Sequence, residues 1–402
     1  VDSGYCPKYL VMITADANNN KFYRMIPKGD TFTVEYGRIG NSNFQTKTYP
    51  RSDWCRIYNS KVKKGYADQS DLMDVKVESS ENKYKPIENQ NISKIVDRLI
   101  GLANDAVKKN YTVSSEAVTQ KMIDEADKLL IVLAASKNSS VNDFNKTLTK
   151  LFSVIPRAMK KVSDYLAKTP DDFAKIFKRE QDLLDVMRGM VKNKVTVENQ
   201  SGDTVFDKTI LEMFGLTFEE TNDDDIDKIK KSLGHLSDKY KDSWKVTNIK
   251  TQSAFDSFVK DNSIADTKML WHGSRNENWW SIASSGLLLK PNAIITGKMF
   301  GYGIYYANSA QKSFGYTSHK GSYWANGNSD FSLMGLYDVA YGKPFDVYQF
   351  DSKYYNFNYD KLKKTAPLAH CLHAHKGSML RNDEIIIYRE DQCTIKYLVE
   401  LT

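Results

Sequence analysis

The chain is poor in cysteine. Cys6, Cys55, Cys371 and Cys393 are the only four in 402 residues, and no two form a CxxC pair. This excludes a disulfide framework and a zinc finger of ordinary spacing, and it points to a reducing, intracellular setting. Long apolar runs are missing too. No stretch of about 18 apolar residues occurs, so no membrane span is expected. The first residues, Val1-Asp2-Ser3-Gly4, have neither an initiator Met nor a signal-peptide core and read as a processed end. Charge of one sign does not dominate: 57 basic residues against 50 acidic give +7, a mild bias towards acidic partners. The length suits two to four domains.

Three kinds of patterning are present. Up to about residue 83, aromatic and β-branched residues alternate between turn signals. Thr31-Phe32-Thr33-Val34-Glu35-Tyr36 has strand period, and Asn18-Asn19-Asn20 is a turn leading into Lys21-Phe22-Tyr23-Arg24. Residues 21–66 hold ten Lys/Arg and three acids, as large an excess as that of the whole chain. Basic residues interleaved with Tyr36, Tyr49, Trp54 and Tyr58 suit a nucleic-acid surface, with charge for phosphates and flat rings for bases. A polar linker is expected over 78–91, and then the period becomes helical. Phe144, Leu148, Leu151, Phe152 and Ile155 share one helix face, and Val118, Met122, Ala126, Leu129 and Leu133 share another. Thr169-Pro170-Asp171-Asp172 reads as a helix start, followed by Phe173, Ile176, Phe177, Leu184, Met187 and Val191. These stripes predict an all-α bundle. From about Thr204 a strand is expected over 211–218, a helix over 225–239 and mostly strands beyond.

Three short stretches of the last segment fit one reaction. They are Trp271-His272-Gly273-Ser274-Arg275, Gly301-Tyr302-Gly303-Ile304-Tyr305-Tyr306-Ala307 and Asn382-Asp383-Glu384-Ile385-Ile386-Ile387-Tyr388. Together they supply a histidine, a tyrosine and a glutamate. Such a set could hold a dinucleotide and help break its glycosidic bond, with no metal or covalent nucleophile. Glu384 is the one acid followed at once by an apolar run, which places it at the start of a buried strand. His370-Cys371-Leu372-His373-Ala374-His375 offers four potential zinc ligands, but the spacing is irregular and no distant partner is evident. No metal is expected, and the stretch reads as the loop before the Glu384 strand.

The order of these motifs resembles the catalytic domain of the poly(ADP-ribose) polymerase family. The likeness extends to Lys312-Ser313-Phe314-Gly315-Tyr316 (nicotinamide pocket), Thr296-Gly297-Lys298-Met299-Phe300-Gly301 (approach to the acceptor) and Val339-Ala340-Tyr341-Gly342 (next core strand). The resemblance implies NAD as substrate and Glu384, His272 and Tyr305 as catalytic residues. Glu384 would bond the nicotinamide-ribose hydroxyl and activate the acceptor. His272 would hold the adenosine ribose. Tyr305 and Tyr316 would sandwich the nicotinamide, with Gly273 and Ser313 on its carboxamide. Ser274, Asn278, Gly303 and Lys312 complete the implied NAD-binding set. Leu288 stands where many members carry Arg.

The first segment resembles a WGR domain, with Tyr36-Gly37-Arg38 in the place of Trp-Gly-Arg and Lys61-Val62-Lys63-Lys64-Gly65-Tyr66 as the closing motif. Tyr36, Arg38, Lys61, Lys63 and Lys64 are the implied DNA contacts. The bundle resembles the family's helical regulatory domain. Leu183-Leu184-Asp185 would lie on the helix facing the NAD pocket, and the folded bundle would obstruct NAD until DNA loosens it. The implied architecture is α+β and multidomain: a β-rich WGR-like domain over 1–83, an all-α regulatory bundle over 84–200 and a transferase domain of mixed antiparallel sheets over 201–402. The implied function is DNA-break-activated transfer of ADP-ribose to protein, itself included, with elongation of poly(ADP-ribose). Partners would be DNA breaks, acceptor proteins and, as in some relatives, an accessory factor. The location would be intracellular and DNA-associated. Transfer of a single ADP-ribose to protein or nucleic-acid ends, and a non-catalytic DNA-end binding module, are the rival readings.

Overall fold

The computed structural model describes residues 5–73, 84–111, 118–198, 207–289, 299–377 and 380–402. It divides into two compact units, Val1–Glu81 with Asn104–Val195 and Asn82–Ala103 with Thr196–Thr402. The expected start of the last segment at Thr204 and the motif residues Thr296, Gly297 and Lys298 lie outside the described residues.

The first unit opens with an antiparallel sheet. Its strands are β1 (Lys8–Thr14), β2 (Asn19–Lys28), β3 (Thr31–Arg38), β4 (Gln45–Pro50) and β5 (Ala67–Asp68), in the order β4-β3-β2-β1-β5. Helix α1 (Trp54–Lys63) covers one face. Strand alternation sends Leu10, Tyr23, Met25, Phe32 and Val34 to that face, where they meet Trp54 and Ile57.

Among the described residues the α-helices that follow are α2 (Gln90–Asn110), α3 (Gln120–Ala135), α4 (Val141–Val154) and α5 (Asp172–Glu198). The unit boundary falls within α2, after Ala103. Thr119 and Ser140 cap α3 and α4 by accepting from Met122 N and Asp143 N. The expected stripe of α4 is wholly buried. That of α3 runs through Leu130 instead of the half-buried Leu129, because one turn beyond Ala126 is four residues. Helix α5 starts at Asp172, two residues past Pro170, and the Asp172 carboxylate accepts from Lys168 N and Thr169 N. Phe144 and Phe173 stack at 3.9 Å between ring centres. Nearby, Arg157 and Glu180 form a bidentate pair at 2.8 and 2.7 Å, with side chains 4% and 2% exposed.

The second unit takes the start of α2, which Arg98 ties to Glu400 at 2.7 and 3.0 Å. The strand expected over 211–218 is split. Its first half is α6 (Ile210–Phe214), and only the second half is strand, β6 (Leu216–Glu220). The cause is local: Thr209 and Glu212 form a capping box, and Gly215 at φ 62° closes the helix. A second capping box, Asn222 with Asp225, starts α7 (Asp223–Leu233). Then come β7 (Tyr240–Asn248), α8 (Ile249–Asp261), β8 (Lys268–Gly273), α9 (Trp279–Ser285), β9 (Ile304–Tyr306), α10 (Ala310–Phe314), β10 (Ser332–Val339), β11 (Pro344–Val347), α11 (Tyr359–Thr365), β12 (Cys371–Ala374), β13 (Glu384–Ile387) and β14 (Cys393–Leu401). One sheet has the order β6-β7-β14-β10-β8, the other β11-β12-β13-β9. All pairs are antiparallel except β11 with β12. The sheets join where Trp271 and Ala307 exchange backbone hydrogen bonds of 2.9 and 3.1 Å. Two sequence expectations shift here. The Val339 strand ends at Val339, with Gly342 at φ 53° just beyond. The histidine-rich stretch is a strand, β12, not a loop.

Among the described residues, no helix is long and apolar enough to cross a membrane.

Candidate active site

The seam between the two sheets gathers the three motifs. His272 is the penultimate residue of β8 and Tyr305 the central residue of β9. His272 Nδ1 lies 3.1 Å from the Tyr305 carbonyl, so the neighbouring strand fixes the imidazole. Glu384 is the first residue of β13, ahead of three buried isoleucines, and Ile386 is the cross-strand partner of Tyr305. Glu384 is 9% exposed. Its Oε1 lies 2.5 Å from Lys312 Nζ, and both side chains are mostly covered. An ion pair this sheltered is screened far less than a surface pair.

Tyr305 offers its hydroxyl to backbone: it donates to Gly301 O and accepts from Phe300 N, each at 3.0 Å. Tyr388 donates to Phe300 O at 2.7 Å. The two phenols thus anchor the start of the Gly301 motif. Burial, and less strongly the Glu384 charge, push the Tyr305 phenol well above its ordinary range. Tyr316 feels the same two influences in the same order and is pushed up to about 12. Both rings therefore stay neutral and flank the glutamate's field.

Ser313, on α10, is buried and donates to the Trp271 carbonyl at 3.0 Å. Its hydrogen is committed, so towards a ligand its oxygen can only accept. Gly273 lies so close to α10 that a Cβ would come within 1.9 Å of the Ser313 carbonyl oxygen. Gly303 is equally constrained: a Cβ there would meet Ile386 Cγ2 at 2.2 Å. Asn278 donates to Ser274 Oγ at 3.0 Å, and its own Oδ1 is buried without a protein partner. Leu288 is exposed.

A profile of the poly(ADP-ribose) polymerase catalytic domain matches residues 223–402, and one of the WGR domain matches residues 7–72. An uncharacterized protein, 101L, of Invertebrate iridescent virus 6 is 36% identical over 198 residues, covering 49% of this chain and 81% of the relative. The same virus's putative poly [ADP-ribose] polymerase-like protein 100L is 30% identical over 198 residues, 47% of this chain and 99% of the relative. The chain belongs to the poly(ADP-ribose) polymerase family. Poly [ADP-ribose] polymerase 2-B of Oryza sativa is 22% identical along 96% of this chain and 70% of its own length. The protein is an NAD+ ADP-ribosyltransferase, and NAD is its substrate.

The transferase's WGR region places its sequence-selected residues unequally. Arg38 is turned towards protein. It donates to the carbonyls of Asn18, Met159 and Lys160 at 2.8, 2.7 and 2.8 Å. Tyr36 packs beside Tyr23 at 5.6 Å. The Lys61 ammonium lies 4.0 Å from the Tyr23 ring centre, 5.7 Å from that of Tyr66 and 5.9 Å from that of Tyr36. Burial first, then the charges of Lys64, Lys21 and Lys47, lower the Lys61 pKa. Lys63 and Lys64 are exposed. Lys21 and Lys47 share this positive field and were not singled out from sequence. They sit on different strands, and only the sheet brings them together.

In α5, Leu184 is buried, Leu183 is half-buried, and Asp185 accepts from Gln181 Nε2 at 3.1 Å. Two further features escaped sequence reasoning. Trp324, exposed in a Gly/Ser/Asn-rich loop, runs nearly parallel to Tyr316 at 6.1 Å and 16°. Asp346 lies beside His373 and His375.

Proposed function

We propose that this transferase is switched on by DNA strand breaks and elongates poly(ADP-ribose) on protein acceptors, itself included. The observation that supports this most is the convergence of His272, Tyr305 and the Lys312-paired Glu384 at one seam. In the proposed reaction the bond between nicotinamide and C1′ of the ribose breaks. Nicotinamide leaves with the electron pair, and an acceptor hydroxyl oxygen forms the new bond to C1′. The acceptor proton passes to Glu384, and the same carboxylate offsets positive charge developing on the ribose. Lys312 holds that carboxylate in place. His272 takes the adenosine-side ribose. Tyr305 and Tyr316 flank the nicotinamide, whose carboxamide N–H donates to Ser313 Oγ. Ser274, Asn278, Gly273 and Gly303 complete the pocket.

DNA sensing is assigned to the lysine face made by Lys61, Lys63 and Lys64, joined by Lys21 and Lys47, with Tyr36 as a stacking ring. Arg38, an implied DNA contact, is proposed to act through protein instead. Its bonds to Met159 and Lys160 suit a strut that carries strain from the WGR region to the bundle. The bundle, with Leu183, Leu184 and Asp185, is the proposed brake on NAD.

The test is incubation of the full chain with labelled NAD, with and without nicked DNA, followed by a gel. A DNA-dependent ladder or smear is expected. A single sharp band would replace elongation with single transfer. Equal labelling without DNA would overturn the sensing role. Glu384→Gln should retain NAD binding and lose elongation first; polymer at the parent rate would overturn the role of Glu384.

A further inference from the structure

In the four-stranded sheet, β12 lies beside the edge strand β11 and carries His373; His375 is the residue just past its end, and the contact between the two imidazoles puts both on one face. Asp346 on β11 is the cross-strand partner of His373. One ligand atom from each of Asp346, His373 and His375 lies within 4.8 Å of the others. His375 Nε2 is 2.7 Å from Asp346 Oδ1, and His373 Nε2 is 3.0 Å from Asp383 Oδ2. The other nitrogen of His373 meets the Tyr341 hydroxyl at 2.7 Å. Two histidines two residues apart at a strand end, with a carboxylate from the next strand, can present three ligands to one ion. A hydrogen bond on the far nitrogen of a ligating histidine is its usual support.

His370 and Cys371, the remaining candidates of this stretch, are engaged elsewhere. His370 Nδ1 accepts from Lys343 N at 3.0 Å, and Cys371 Sγ is directed at the Tyr341 carbonyl at 3.3 Å. The local set is therefore two imidazoles and two carboxylates. Nitrogen with oxygen favours a zinc-type dication over calcium or magnesium, which take oxygen ligands. Two carboxylates in a half-covered pocket also carry a charge that a dication neutralises. The side chains of His373, His375 and Asp346 are 13%, 24% and 43% exposed, so an ion can enter from the Asp346 side.

We propose that Asp346, His373 and His375, supported by Asp383 and Tyr341, form a binding site for a zinc-type divalent cation. The imidazoles now stack at 3.9 Å and 14°. An ion must lie near the plane of each ring that binds it, so one ring has to turn. His375 is that ring: it follows the last residue of β12 and rests on Tyr348 at 4.4 Å. The site sits behind the chemistry, not in it. Ala374, between the two histidines, points to the opposite face and pairs with Glu384. A bound ion would pin β11 to β12 and, through Asp383, hold the segment that leads into Glu384.

The test uses the full chain with Cys6→Ser and Cys55→Ser, which removes the two exposed thiols. After chelator treatment and its removal, zinc chloride is titrated by calorimetry and cobalt(II) by visible absorption. One ion per chain is expected, with the intense visible bands of four-coordinate cobalt and a raised melting temperature. Tyr341→Phe should weaken affinity about 10- to 100-fold, the usual cost of losing an outer partner. His375→Asn and Asp346→Asn, both near the surface, should weaken it further, and Cys371→Ser should not. Absence of saturable binding, or binding unchanged in His375→Asn and Asp346→Asn, would overturn the proposal. The readouts do not depend on transferase activity.

Discussion

Glu180→Gln places the sharpest demand on the helical bundle. The Arg157–Glu180 pair has two hydrogen bonds, and both side chains are almost wholly buried. The amide keeps the shape and removes the charge, leaving the guanidinium buried without its counter-ion. Breaking such a pair from one side costs about 3–5 kcal/mol. For a unit of this size, 1 kcal/mol moves the melting point by about 2–4 °C, so a fall of about 6–20 °C is expected. The pH dependence gives an independent check. Burial alone would raise the Glu180 carboxyl pKa, but the Arg157 charge and hydrogen bonds outweigh it, and the net shift is downward. A carboxyl lowered on folding adds stability above its unfolded value of about 4.3, and that stability is lost as pH falls through the lower folded value. The gap between parent and variant should therefore be wide at pH 7 and narrow on acidification. Calorimetry of the full chain from neutral to acid pH measures both. A variant melting with the parent at pH 7, or a gap that does not narrow in acid, refutes the reasoning. If the bundle is the brake on NAD, the same variant should also show a higher rate without DNA.

Gly273→Ala should drive β8 from α10 by more than 1 Å, since its Cβ would need about 3.4 Å where 1.9 Å is available; kcat/KM for NAD should fall about 100-fold, and a parent-like value would refute the close-approach argument. Lys312→Met removes a charge-assisted contact worth about 1.5–3 kcal/mol, so kcat should fall about 10- to 100-fold in steady-state labelling with NAD binding largely kept; an unchanged kcat would refute the role of Lys312. Lys63→Ala with Lys64→Ala should lower the salt slope of DNA binding by about 2, measured by titration at several salt concentrations; an unchanged slope would remove both from the contact face. Arg38→Ala should leave that slope almost unchanged while lowering the melting point of its unit and the stimulation by DNA; a slope reduced by about 1 would restore Arg38 as a phosphate contact.

Much of the fold was legible because period and capping are local. The α4 stripe and the β3 alternation follow from residues a few positions apart. The misreading at 211–218 has the same origin in reverse: an apolar run cannot be assigned to strand or helix by period alone, and the capping box that starts α6 lies in Thr209 and Glu212, at its edge. Partnership was far less legible. Arg38 in a basic, aromatic stretch looks like a phosphate contact, yet its bonds reach Met159 and Lys160. His373 and His375 looked like a short irregular run, because Asp346 joins them only through the parallel pairing of β11 with β12.

The candidate site depends on glycines as much as on the three polar residues. His272, Tyr305 and Glu384 come from three strands, and their spacing is set by how closely those strands and α10 approach. At Gly273 the limit is the Ser313 carbonyl oxygen, on the very residue whose hydroxyl bonds Trp271; at Gly303 it is Ile386, the partner of Tyr305. One glycine therefore sets the distance from the histidine strand to Ser313, and the other sets that between the tyrosine and glutamate strands. A side chain at either position would separate the polar groups without altering any of them. This explains why a lone His-Gly-Ser carries little information while the ordered motifs carry much: the glycines beside the histidine and the tyrosine encode the distances at which the polar groups can act together.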